Sequence, residues 1–106
     1  MNKTSQSIRF RFVVDPMRFF GNPYIPSSIQ KAIREDGTVD PKNIIGIATL
    51  TTNPDIILII IRYNGRRNFI PLTCFRRTPP PQKLQKIIAE KGEKRGRYII
   101  ANINLR

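Results

Sequence analysis

Histidine and tryptophan are absent from this 106-residue chain, and cysteine occurs once, at position 74. Without histidine, the commonest general acid–base group and imidazole metal ligand are gone. A single cysteine makes no internal disulfide, so nothing in the chain calls for an oxidising compartment. Lacking a histidine partner, Cys74 is expected to be a small buried hydrophobe rather than a nucleophile. Long apolar runs are also missing. The longest, residues 56–61, falls far short of the ~18 residues of a membrane helix. The first residues, MNKTSQSIRFRF, hold no continuous apolar stretch of the kind a secretory signal needs. The expected location is therefore cytoplasmic, without a membrane partner. No glycine-rich phosphate loop, paired cysteines or nucleophile elbow is present, and no cofactor is expected.

Acidic residues are the other scarcity: seven, against 19 lysines and arginines, for a formal charge of +12. The imbalance is uneven. Twelve of the cations follow residue 53 and meet only Asp55, Glu90 and Glu93, so that half carries +9. The first half, with Asp15, Glu35, Asp36 and Asp40 against seven cations, carries +3. Clustered Lys and Arg attract phosphate and release its condensed counterions, which points to a polyanionic partner. Forty percent apolar and 25 percent charged residues is ordinary globular composition, so the basic balance does not imply disorder.

Hydrophobic periodicity predicts a flexible tail at residues 1–6 and a single α+β domain over 7–106. Ile8, Phe10, Phe12 and Val14 alternate with Arg9, Arg11 and Val13, the pattern of a half-buried strand closed by Asp15-Pro16. Residues 17–26, with Gly21, Pro23 and Pro26, read as an aromatic-rich loop. Ser27 or Ser28 caps a short helix through Ile29 and Ile33 that Gly37 stops. Three strands follow: 44–52, then 56–63 after a turn at Asn53-Pro54-Asp55, then 68–76 after a tight Asn64-Gly65 hairpin. The second is apolar on both faces and so central; Pro71 puts the third at an edge or a bulge. Pro81 suits the first turn of a second helix, with Leu84, Ile87 and Ile88 as its apolar stripe. Residues 92–96 read as a charged turn, and a last strand puts Ile99, Ala101, Ile103 and Leu105 on one face. The order is β-α-β-β-β-α-β: a mostly antiparallel sheet with two helices packed on one face. Its first six elements, β-α-β-β-β-α, resemble the topology of ribosome-associated double-stranded-RNA-binding-like folds, by topological analogy only and without any shared motif.

The strongest candidate for binding is the acid-free run of Arg62, Arg66, Arg67, Arg76 and Arg77, because the guanidinium fork holds phosphate bidentately and stacks on bases. Arg66 and Arg67 are expected at the hairpin tip. Arg76 and Arg77 are expected at the far end of the strand, roughly 30 Å away at about 3.3 Å per residue. Lys83 and Lys86 on the second helix, and Lys94, Arg95 and Arg97 after it, extend this surface if they adjoin it. On its own that segment reads as a solubilising face, diluted by Glu90 and Glu93. Phe19, Phe20 and Tyr24 are candidate base-stacking or anchoring aromatics. Two adjacent phenylalanines more often plug a core, which leaves Tyr24 as the exposed one.

These readings predict a small non-enzymatic nucleic-acid-binding protein, for RNA or a ribonucleoprotein rather than duplex DNA, since no groove-reading helix module is present. The alternative is an interaction subunit or inhibitor that docks on an acidic surface of a larger complex. A third reading is a toxin-like ribonuclease working without histidine, through Tyr63 or Tyr98 with neighbouring arginines.

Overall fold

The computed structural model describes residues 11–103. The expected tail at 1–6, the alternating residues Ile8 and Phe10, and Leu105 lie outside the described residues. The rest is an α+β domain of seven strands. A five-stranded antiparallel sheet is built from β2 (Ile44–Leu50), β3 (Asn53–Tyr63), β4 (Arg66–Pro71), β6 (Glu93–Arg95) and β7 (Tyr98–Asn102), in the order β4-β3-β2-β7-β6. A small second ribbon pairs β1 (Val13–Val14) with β5 (Phe75–Arg77). The helices are α1 (Pro16–Phe19), α2 (Pro81–Lys91) and three 3-10 segments at Ser27–Ala32, Pro41–Asn43 and Leu72–Cys74.

β3 is an interior strand between β4 and β2, apolar on both sides as its composition predicts. Ile57, Ile59 and Ile61 are buried on one side, and Leu58 and Ile60 on the other. The first set meets Leu84 and Ile88 of α2, Ile29 of the first 3-10 segment, Phe19 of α1, and Ile47 and Ala101 of the neighbouring strands. Phe19, Ile29, Leu84 and Ile88 thus join the same core, and the helices pack on one face of the sheet. At ~1.5–3 kcal/mol for each large side chain removed from water, this cluster is the main source of stability.

Several boundaries move, each for a local reason. The turn after β2 is Thr51-Thr52, and β3 already starts at Asn53. The Thr49 hydroxyl donates to the Ile56 carbonyl at 2.6 Å, holding a bulged register that carries Pro54 and Asp55 along the strand. The strand predicted over 68–76 is two strands. Pro71 supplies no amide for further pairing, the chain turns through Leu72–Cys74, and β5 leaves the main sheet to pair with β1. The presumed aromatic loop opens with one helical turn, where the Asp15 carboxylate accepts the Met17 amide at 3.0 Å and Pro16 takes the first helical position. The helix expected through Ile33 is a 3-10 segment ending at Ala32, since Ile33 turns extended and bridges Val39. The charged turn at 92–96 is mostly strand: β6 pairs with β7, and only Gly96-Arg97 turns.

Candidate nucleic-acid interface

The sheet has a second face. α2, α1 and the first 3-10 segment join the opposite core, and among the described residues this second side has a cluster of its own made of strand residues. It comprises Ala48, Leu58 and Ile60, packed against Ile45, Leu50, Phe69, Tyr98 and Ile100. Phe69 and Tyr98 form its lid. Their rings stack with centroids 4.4 Å apart and planes within 16°. Phe69 stands on β4 and Tyr98 on β7, with β3 and β2 between them. Three inter-strand gaps of about 4.8 Å separate their backbones, and the register aligns Phe69 with Gly46 but Tyr98 with Leu50, so the rings lean toward each other diagonally across β3 and β2. The small Ala48 in the middle leaves room for this contact, and both rings remain half-buried.

Strand register decides which arginines adjoin this pair. Asn64 (φ 56°) and Gly65 (φ 81°) both occupy the left-handed region, giving the tight hairpin that the sequence predicts. The pairing that follows sets Arg62 opposite Arg67 and Ile60 opposite Phe69. Arg62, Arg67 and Phe69 thus share the open face. Arg66 pairs with Tyr63 and belongs to the other side. On the far flank Arg95 of β6 lies opposite Tyr98, so a band of Arg, Tyr, Phe and Arg crosses the sheet. Arg95 is held by Glu93 at 3.5 Å. Arg62 and Arg67 have no carboxylate partner among the described residues. Like charges directly opposite on neighbouring strands are unfavourable, which makes this pair a place where a bound anion relieves repulsion.

The remaining candidates go elsewhere. Arg76 and Arg77 belong to the β1–β5 ribbon, separate from the hairpin. Lys83 and Lys86 lie on α2, over the covered face, so the helix does not continue the surface of Arg62 and Arg67. Lys94 is opposite Ile99, which packs on the covered core, while Arg97 occupies the β6–β7 turn and its carbonyl accepts the Thr51 amide at 2.9 Å. Phe19 is fully buried and Phe20 meets it edge-on, leaving Tyr24 at 91% exposure the most accessible aromatic of that loop. Of the tyrosines that a ribonuclease would use, Tyr63 packs on the main core and Tyr98 stacks on Phe69. Among the described residues no group of three or more His, Cys, Asp or Glu could hold a metal ion.

Phe69 is absent from the sequence-derived candidates, and Tyr98 enters them only as a ribonuclease residue. Their one local signal is the alternation that puts Phe69 two residues from Arg67. Their meeting depends on a strand order that neither segment encodes alone. No family model, curated protein or solved structure matches the chain.

Proposed function

We propose that this protein is a non-enzymatic binder of single-stranded RNA that uses the open face of its sheet. The observation that carries the reading is the stacked Phe69–Tyr98 pair beside the cross-strand Arg62–Arg67 pair, on a face that no helix among the described residues covers. Unpaired bases stack on aromatic rings whatever their identity, and adjacent guanidinium groups take the phosphates. A flat aromatic surface suits splayed bases, not duplex grooves, which favours single strands. Low sequence selectivity follows, because stacking and phosphate contacts carry little base information.

Fluorescence anisotropy with labelled single-stranded and duplex RNA, titrated with salt, tests this. Single strands should bind more tightly, with affinity falling as salt rises; no detectable binding at ~50 mM salt would overturn the reading.

A second reading, docking on an acidic protein surface, has its own support in Met17 (85% exposed), Phe20 and Tyr24, which project beside Arg18. Exposed aromatics next to an arginine are typical anchors at protein interfaces. A pull-down whose protein partner survives nuclease treatment and is lost on Tyr24→Ala would favour it.

A further inference from the structure

The second arginine group occupies a cleft of its own. Its floor is the turn at residues 34–38. There the Asp36 carboxylate accepts the Thr38 amide at 2.9 Å, and the Gly37 amide donates to the Arg34 carbonyl at 2.8 Å. Gly37 has φ 86° and lies against β1, accepting the Val14 amide at 2.9 Å. A Cβ there would stand 3.2 Å from Val13 and 3.3 Å from the Val14 carbonyl, so both conformation and space call for glycine. β1 is thus flanked by this turn on one edge and by β5 on the other. Val13 pairs with Thr38 on one side and with Arg77 on the other. Directly opposed residues project to the same face, so Thr38, Val13 and Arg77 form one row.

Around that row lies a cleft of about 310 Å³ lined by Arg11, Val13, Asp36, Thr38, Arg76 and Arg77. Three guanidinium groups face one carboxylate. Arg76 reaches the Asp36 carbonyl at 3.5 Å, Arg11 acts on the Asp36 carboxylate without closing an ion pair, and Arg77 forms no ion pair among the described residues. Asp36 is already engaged by Thr38, and Arg34 on the turn's far side is held by Asp40 at 3.2 Å. One carboxylate against Arg11 and the two β5 arginines leaves the cleft with net positive charge. The volume is at the lower end of small-ligand sites, about 300–1,000 Å³, and the lining is polar, which suits a phosphorylated group rather than an apolar one.

We infer that this cleft binds a phosphomonoester dianion through Arg11, Arg76 and Arg77, independently of the open sheet face. Two sources share that chemistry: the 5′-phosphate of a nucleic-acid strand, or a free phosphorylated small molecule. Only the first rests on the RNA-binding reading.

The experiment has two arms, each run on the wild-type chain and on the Arg76→Gln, Arg77→Gln double variant. In the first, inorganic phosphate is titrated while amide shifts are followed by NMR. Saturable shifts at Asp36, Thr38 and Arg77 are expected in the wild type, and their loss in the variant. No saturable shift at these residues, or the same shift in the variant, would overturn the site. In the second arm, 5′-phosphorylated and 5′-hydroxyl forms of one oligoribonucleotide are compared. A strand end as ligand gives an advantage of about tenfold for the phosphorylated form, the scale of one charge-assisted contact, and the variant abolishes it. Equal affinities alongside a positive phosphate titration assign the site to a free phosphorylated molecule. If no RNA binds while phosphate still titrates, the sheet-face reading fails and the cleft stands.

Discussion

The two faces of the five-stranded sheet are cut from the same isoleucine-rich strands, yet they are finished differently. On the covered face Ile47, Ile57, Ile59 and Ile61 join one core with α2 and Phe19, and no charged residue is buried among the described residues. On the open face Ala48, Leu58 and Ile60 are buried too, but over them lies a pair of half-buried aromatic rings with arginines on either flank. The lesson is a division of labour. Helix packing commits one face to the main core. A lid of two rings covers the second core and leaves aromatic and cationic surface exposed.

Substitutions at matched depth should separate the two roles. The largest effect is expected from Ile59→Ala on the covered face, about 2–5 kcal/mol of stability, because a fully buried isoleucine leaves both lost transfer energy and a cavity. Urea denaturation measures the loss, and RNA affinity of the folded protein should stay unchanged. Tyr98→Ala and Phe69→Ala should do the reverse. Each lowers single-stranded RNA affinity by about 1–3 kcal/mol, the worth of one stacked base, and costs less stability than Ile59→Ala because the rings are half-exposed. Tyr98→Phe should preserve binding, since the stacking ring remains. If Tyr98→Ala binds as the wild type does, the open face is only a second core.

A finer cut runs between neighbours in sequence. Arg66 and Arg67 are adjacent, but strand geometry sends them to opposite faces. Arg62→Gln and Arg67→Gln should each lower the slope of log affinity against log salt by about 0.7, the value for one phosphate contact to a single strand. Arg66→Gln should leave the slope nearly unchanged. Equal effects at 66 and 67 would mean that the hairpin tip, not the face, meets the ligand.

That distinction also marks where sequence reading stops. The hairpin itself was legible, since Asn64-Gly65 tolerates two positive φ angles, and so were the two-faced central strand and the proline-started helix α2. Those signals are local. The separation of Arg66 from Arg67 follows from period-two alternation, but only once the strand is known to begin at Arg66 rather than at Asn68. The Phe69–Tyr98 contact needs the order β4-β3-β2-β7, which arises from the return of the C-terminal strand to the edge of β2. β5 reads as a continuation of β4 until Pro71 and the turn at Leu72–Cys74 release it to β1. Charged residues 93–95 have little strand propensity, and pairing with β7 overrides it. The cleft gathers Arg11, Asp36 and Arg77 from three distant segments, so no window of sequence displays it.

The smallest expected effect distinguishes the two arginine groups by their acids. Arg62 and Arg67 lack a carboxylate among the described residues, whereas the cleft arginines surround Asp36. The side-chain and backbone hydrogen bonds of Thr38 hold the Asp36 carboxyl below its ordinary 3.8, with the positive charges of Arg34 and Arg11 acting in the same direction. A folded-state value below the unfolded one stabilises the protein above the ordinary carboxylate range, and that contribution disappears as pH falls through the depressed value. Asp36→Asn removes it at all pH values. The variant should therefore be slightly less stable near neutrality, and the two denaturation midpoints should converge as pH is lowered below about 4. Because Asp36 is exposed, added salt should shrink the part that comes from Arg34 and Arg11 and leave the part that comes from Thr38. Parallel midpoints across the acid range would show that Asp36 is not linked to folding. The turn would then owe its shape to Gly37 and its backbone bonds, and the carboxylate would serve only to temper the charge of the cleft.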